Sequence, residues 1–228
     1  MARDREDEVF LEVMVQSLKR INEGDFSQDT QRWSQEARAL IESAREGLLH
    51  LVQREDLEEE EASEALASMQ HHRQQLDEAF SRQLAALDIR LGEIRIAQDA
   101  SARDDYFVGL AQFLNRYHDG GFESLRTQAA ISQARRAHDY ALHYGAHEET
   151  MHQLRDALSG LEQALSTTRK EGAEAVEAYG ELVEGRSMAR VCYLTARDLM
   201  SATLRFEGCH DKLDWFIPSL ADVLKVGV

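Results

Sequence analysis

Proline is all but missing from this 228-residue chain: Pro218 stands alone, near the C-terminal end. Everything before it is free of the strongest helix breaker. Cysteine is nearly as scarce. Cys192 and Cys209 form no CxxC pair, which excludes a disulfide-stapled small domain and points to a reducing, cytoplasmic setting. Aromatic residues make up only 7%, which suits aliphatic helix seams better than a β-sandwich core. Long apolar runs are lacking too. Stretches such as Val13-Met14-Val15 fall far below the ~18 residues of a spanning helix, so a membrane role is not expected. The charged N-terminal octet Met1–Glu8 has no apolar segment of a secretory signal.

Positive charge is in short supply. Twenty-six Lys and Arg face 42 Asp and Glu, for a net charge of −16, divided as −12 over residues 1–114 and −4 over 115–228. That balance opposes binding to nucleic acid phosphates or anionic lipid. Arg135-Arg136 and Arg169-Lys170 are pairs rather than patches.

What is present forms helices. Glu (25) and Arg (22) are joined by many Ala, Leu and Gln residues, a composition that favours long helices over sheets. No alternating β-branched run marks a strand, and no fixed-period repeat marks a solenoid. A first helix is expected over about residues 5–23, with Phe10, Met14, Leu18 and Ile21 on one face. Gly24 is placed to stop it, and Ser27 or Asp29 to cap the next helix, which carries Trp33, Ala37, Leu40, Ile41 and Leu48. Residues 54–64 hold seven carboxylates and one arginine; their mutual repulsion predicts a loop or a solvated helix start.

The clearest periodicity follows. Leu66, Met69, Leu76, Phe80, Leu84, Leu87, Leu91 and Ile94 approximate an a/d seam on a helix over about residues 57–97. A boundary is expected over 99–105, then an aromatic helix to Tyr117, then the turn His118-Asp119-Gly120-Gly121. Beyond it, Ala130, Ala134, Ala137 and Ala141 make a small-residue face, and Leu154, Leu158, Leu161 and Leu165 form a second seam. Ser166-Thr167-Thr168, Gly172 and Gly185 are candidate interruptions. The fold predicted is all-α: an elongated antiparallel bundle of four to six helices. It divides into an acidic N-terminal half, 1–118, and a C-terminal half, 122–228, within one continuous domain. Length, scarce proline and long helices resemble BAR-type membrane-curving dimers in architecture. The cationic face that such a resemblance implies is not supplied by this acidic chain.

No phosphate loop, GxSxG or dinucleotide fingerprint occurs. The function expected is a non-enzymatic cytoplasmic scaffold or adaptor without a cofactor. It would act by homo-oligomerisation and by contact with protein partners rather than nucleic acid. Leu76, Phe80, Leu84, Leu87, Leu91 and Ile94 would carry one interface; Leu154, Leu158, Leu161 and Leu165 another. Trp215, Phe216 and Ile217, next to the proline, form an apolar tail that either caps the bundle or docks elsewhere.

The alternative is a metal- or cofactor-binding helical bundle, sensory or of the dinuclear carboxylate kind, with a transition metal held in the region His138–His152. His143 and His147 are i,i+4, a spacing that chelates metal when both lie on one helix face. Glu149 and His152 would extend the set. Glu149-x-x-His152 and Glu207-x-x-His210 also match the ExxH element of dinuclear carboxylate bundles. His147 and His152 are five apart, which rules out the zinc-peptidase motif, whose histidines are four apart.

Overall fold

Two very long helices organise the chain. A computed structural model describes residues 2–96, 105–117 and 120–226. In chain order the helices are α1 (Ala2–Glu23), α2 (Gln31–Ile96), α3 (Asp105–Tyr117), α4 (Thr127–Tyr144), α5 (Glu148–Phe206), α6 (Leu213–Phe216) and α7 (Leu220–Val226). A single 3₁₀ turn, His210–Lys212, precedes α6. Among the described residues there is no strand. The fold is all-α and antiparallel, as the composition predicts.

The antiparallel sense of α2 and α5 is read from their contacts. Trp33 meets Phe206, with ring centroids 6.2 Å apart. Arg54 pairs with Glu181, and the Thr168 hydroxyl donates to the Ala65 carbonyl over 3.0 Å. Arg82 donates to Gln153 over 3.2 Å. Numbers rise along one helix as they fall along the other.

α2 runs straight through residues 54–64. The acidic run is therefore a solvated stretch of helix, not a loop and not a helix start. Its cost is modest because like charges at i,i+4 destabilise by only about 0.2–0.5 kcal/mol per pair. α5 likewise passes Ser166-Thr167-Thr168, Gly172 and Gly185 without a break. The Thr168 hydroxyl also donates to the Ala164 carbonyl, 2.9 Å away, which keeps that polar side chain inside the helix pattern. Gly185 is not a helix end; it faces Leu51, whose Cδ1 a side chain there would strike.

The chain divides into two compact units, and neither is a half of the sequence. The terminal unit joins residues 1–60 to 173–228; the inner unit is residues 61–172. The sequence halves 1–118 and 122–228 thus each contribute to both.

The terminal unit buries Phe10, Met14 and Ile21 of α1 against Ile41 and Leu48 of α2 and Leu182, Tyr193 and Met200 of α5. The tail closes it: Phe216, Ile217 and Val223 belong to the same core. The inner unit packs Leu76, Phe80, Leu87 and Leu91 of α2 against Phe113 and Tyr117 of α3. Ala134 and Tyr140 of α4, and Leu154 and Leu161 of α5, complete that core. Phe122, after the Gly120-Gly121 turn, lies flat on Phe80 with centroids 3.6 Å apart. Both turn glycines have φ near +90°, a conformation only glycine adopts without strain. The boundary expected at 99–105 lies outside the described residues except for Asp105, where α3 begins. His118 and Asp119 are also outside them.

Candidate functional site

α4 ends at Tyr144 because Gly145 takes the left-handed conformation, φ 63° and ψ 51°, and its amide closes on the Ala141 carbonyl. This is a C-terminal stop of the αL kind. Its consequence for the candidate metal residues is direct. His143 lies in the last turn of α4, His147 precedes α5, and Glu149 is in the first turn of α5. His143 and His147 do not share a helix face. His152 stands 3.8 Å from Glu148 and 3.2 Å from Arg155. No three of His143, His147, Glu149 and His152 bring ligand atoms within 4.8 Å of one another.

The second ExxH pair is engaged elsewhere. The Glu207 carboxylate receives the Ser27 hydroxyl at 2.6 Å and the Ser27 amide at 3.0 Å, together with the Thr30 hydroxyl. These bonds, first of all that from the Ser27 hydroxyl, hold its pKa below the ordinary carboxylate value. His210 contacts the Ser201 hydroxyl, 3.0 Å away. Glu207 thus ties the end of α5 to the start of α2.

The expected interface seams are placed inside the chain. Leu76, Phe80, Leu87, Leu91, Ile94, Leu154, Leu158 and Leu161 are all buried in the inner core, and Leu84 and Leu165 pack against it. The two seams meet each other. Phe216 and Ile217 are buried in the terminal core, while Trp215 is half exposed beneath the Arg20 guanidinium, 5.4 Å from its ring centroid.

Two half-buried ion pairs lie at the edges of these cores. Arg186 donates from Nε to both carboxylate oxygens of Asp7, at 2.9 and 3.0 Å, with a further bond from its terminal nitrogen. The bond to Asp7 raises the guanidinium pKa. In the inner unit Arg73 lies 3.0 Å from Asp77 and donates to the Phe122 carbonyl over 2.9 Å. Burial raises the Asp77 pKa despite that arginine. Burial also pushes the Tyr193 hydroxyl up to about 12, so it stays protonated and donates to the Pro218 carbonyl at 3.0 Å.

A groove of about 590 Å³ in the inner unit has an apolar floor of Ala85, Ala86, Ile89 and Ala146. Arg82, Arg90, Glu93 and His147 rim it. Its arginines are committed within the protein: Arg90 to the Tyr144 carbonyl at 2.8 Å and to Glu93 at 2.8 Å, Arg82 to Gln153. The groove offers apolar surface but no uncommitted arginine.

An exposed apolar stripe lies on α5 in the terminal unit. Val176, Tyr179, Val183, Val191 and Leu194 are exposed, Val176 by 73% and Val191 by 55%. Steps of 3, 4, 8 and 3 residues set these side chains along one helix face. The buried face, Ala178, Leu182, Ala189, Tyr193, Ala196 and Met200, points elsewhere. About 500 Å³ of groove runs along this outer face, lined also by Glu6, Arg186, Ser187 and Arg190. Sequence reasoning missed it because α5 is apolar on two sides here. Separating the i,i+7 set Val176–Val183 from Leu182–Ala189 would have found it. No protein-family model matches the chain, and neither a curated protein nor a solved structure does.

Proposed function

We propose that this protein is a non-enzymatic helical scaffold or adaptor that works through protein–protein contacts made by the outer face of α5. The observation that carries this reading is the exposed stripe Val176, Tyr179, Val183, Val191 and Leu194. Exposed apolar residues scattered singly need no explanation, whereas a contiguous stripe rimmed by polar residues marks an interaction surface. Rigid support strengthens the argument. The stripe sits on a continuous 59-residue helix whose opposite face is locked into the terminal core. The Arg186–Asp7 pair anchors the same segment to α1.

A photo-activated cross-linking residue in place of Val183, in the full chain in cells, tests the reading. A discrete cross-linked protein product that disappears when Leu194→Asp is added supports it. Absence of any product, with the variant folded by circular dichroism, overturns it.

A further inference from the structure

The tail that closes the terminal unit is held in the manner of a bound peptide. α6 is four residues long, and a helix that short has no stability of its own, so the walls around it impose its form. The carbonyls at its end and just past it lack partners within the helix, and side chains of α1 and α5 supply them. Arg20 of α1 donates to the Trp215 carbonyl over 2.5 Å. On α5, Arg197 donates to the Ile217 carbonyl and Tyr193 to the Pro218 carbonyl, the latter over 3.0 Å. Such bonds fix a backbone path and carry no side-chain preference.

Side chains of the tail supply that preference. Asp214 accepts a second bond from Arg197 at 2.6 Å, and Trp215 lies under the Arg20 guanidinium. Phe216 enters a slot beside Phe26, with centroids 5.5 Å apart. The slot exists because residue 24 is glycine: a Cβ there would stand 3.0 Å from the Phe216 ring and closer still to Phe26. Ile217 is wholly buried. The walls are joined without the tail, by Arg186 to Asp7, by the Phe10 ring against Tyr193 at 5.3 Å, and by Ser27 to Glu207. Donors held ready in this way bind at a low ordering cost.

We propose that the cleft between α1 and α5 is a binding site for linear protein segments of acidic–aromatic–aromatic–aliphatic–proline chemistry, and that Asp214–Pro218 is its resident occupant, which blocks it in cis. Residues 207–213 join α5 to Asp214. Gly208 among them has φ +74°, a bend that glycine takes without strain. A tethered occupant competes at a roughly millimolar effective concentration, so a segment in trans enters only when the tail is weakened or withdrawn. Two guanidinium groups in a chain of net charge −16 select an acidic residue ahead of the aromatic pair. Tyr193 belongs to the buried face of α5, so the use of the cleft does not depend on the outer stripe.

The probe is a fluorescent peptide of residues 212–220, Lys-Leu-Asp-Trp-Phe-Ile-Pro-Ser-Leu, titrated against the full chain by anisotropy. In the double variant Phe216→Ser, Ile217→Ser the resident tail is weakened while both walls are unchanged. That chain is expected to bind the peptide roughly tenfold or more tightly than wild type, whose tail competes. Adding Arg197→Ala is expected to weaken binding about tenfold, and a peptide of the same composition in scrambled order is expected not to bind. Equal binding to the two chains, equal binding of the scrambled peptide, or no binding to a double variant with wild-type helicity by circular dichroism overturns the proposal. Native hydrogen exchange of the wild-type chain decides the matter where the variant does not fold. The Ile217 and Val223 amides are expected to exchange roughly tenfold or more faster than those of α5 near Tyr193, through opening of the tail alone. One common rate for tail and α5 means that the tail parts only when the unit unfolds, and overturns it.

Discussion

Glu207 and Asp77 are carboxylates pushed in opposite directions, and the difference fixes how acid acts on each unit. Glu207 is lowered from 4.5 by the hydroxyls of Ser27 and Thr30 and the Ser27 amide. The unfolded chain therefore takes up its proton at higher pH than the folded one. The stabilisation is fully present above 4.5 and is lost as pH falls through the lower folded value. Asp77 is raised from 3.8 by burial. Its penalty appears as pH rises through 3.8 and is complete above the raised folded value, so acidification relieves it. Urea denaturation from pH 7 to 3 is expected to show wild type more stable than Glu207→Gln at neutral pH, the gap closing on acidification. A gap independent of pH would refute the assignment. The ExxH spacing around Glu207 was visible in the sequence, but the Ser27 and Thr30 partners, 180 and 177 residues away, were not. Local spacing says nothing about a bond made across the fold.

At the scale of elements, glycines inside α2 and α5 and the one that ends α4 play different parts. Gly47 lies inside α2, and a Cβ there meets nothing within 4 Å. Gly47→Ala is expected to add about 1 kcal/mol, the helix-propensity difference. Gly145 also has open space around it, but its φ of +63° suits glycine. Gly145→Ala is expected to lose about 1 kcal/mol. Equal shifts of one sign in urea melts would contradict this reading of the α4 stop. The helical seams were legible because i,i+3 and i,i+4 spacing is a local signal. The candidate interruptions at 54–64, 166–168, 172 and 185 all lie within continuous helix. One glycine costs about 1 kcal/mol in a helix interior, less than the packing of Leu182, Tyr193 and Met200 on the buried side of α5 supplies. The His143–His147 spacing misled for the converse reason, since Gly145 between them does stop a helix.

For the whole molecule, the sequence foretold the fold class but not which segments form each compact unit. Gly120-Gly121 is the strongest turn signal, yet it lies inside the inner unit, and the division falls within two uninterrupted helices. Nothing in local composition marks such a place. Residues 61–172 are contiguous and hold one aromatic and aliphatic core. Expressed alone, that fragment is expected to be helical and to melt cooperatively by circular dichroism. A fragment without a cooperative transition would show that its core does not suffice. The terminal unit has no such shortcut, because its core needs Phe10 and Met14 from one end and Tyr193 and Met200 from the other. During synthesis at about 5–20 residues per second, α1 leaves the ribosome roughly ten to thirty seconds before Tyr193 does. Throughout that wait its oily side has only Ile41 and Leu48 of α2 as native mates, and the ground that Tyr193 and Met200 will fill stays wet.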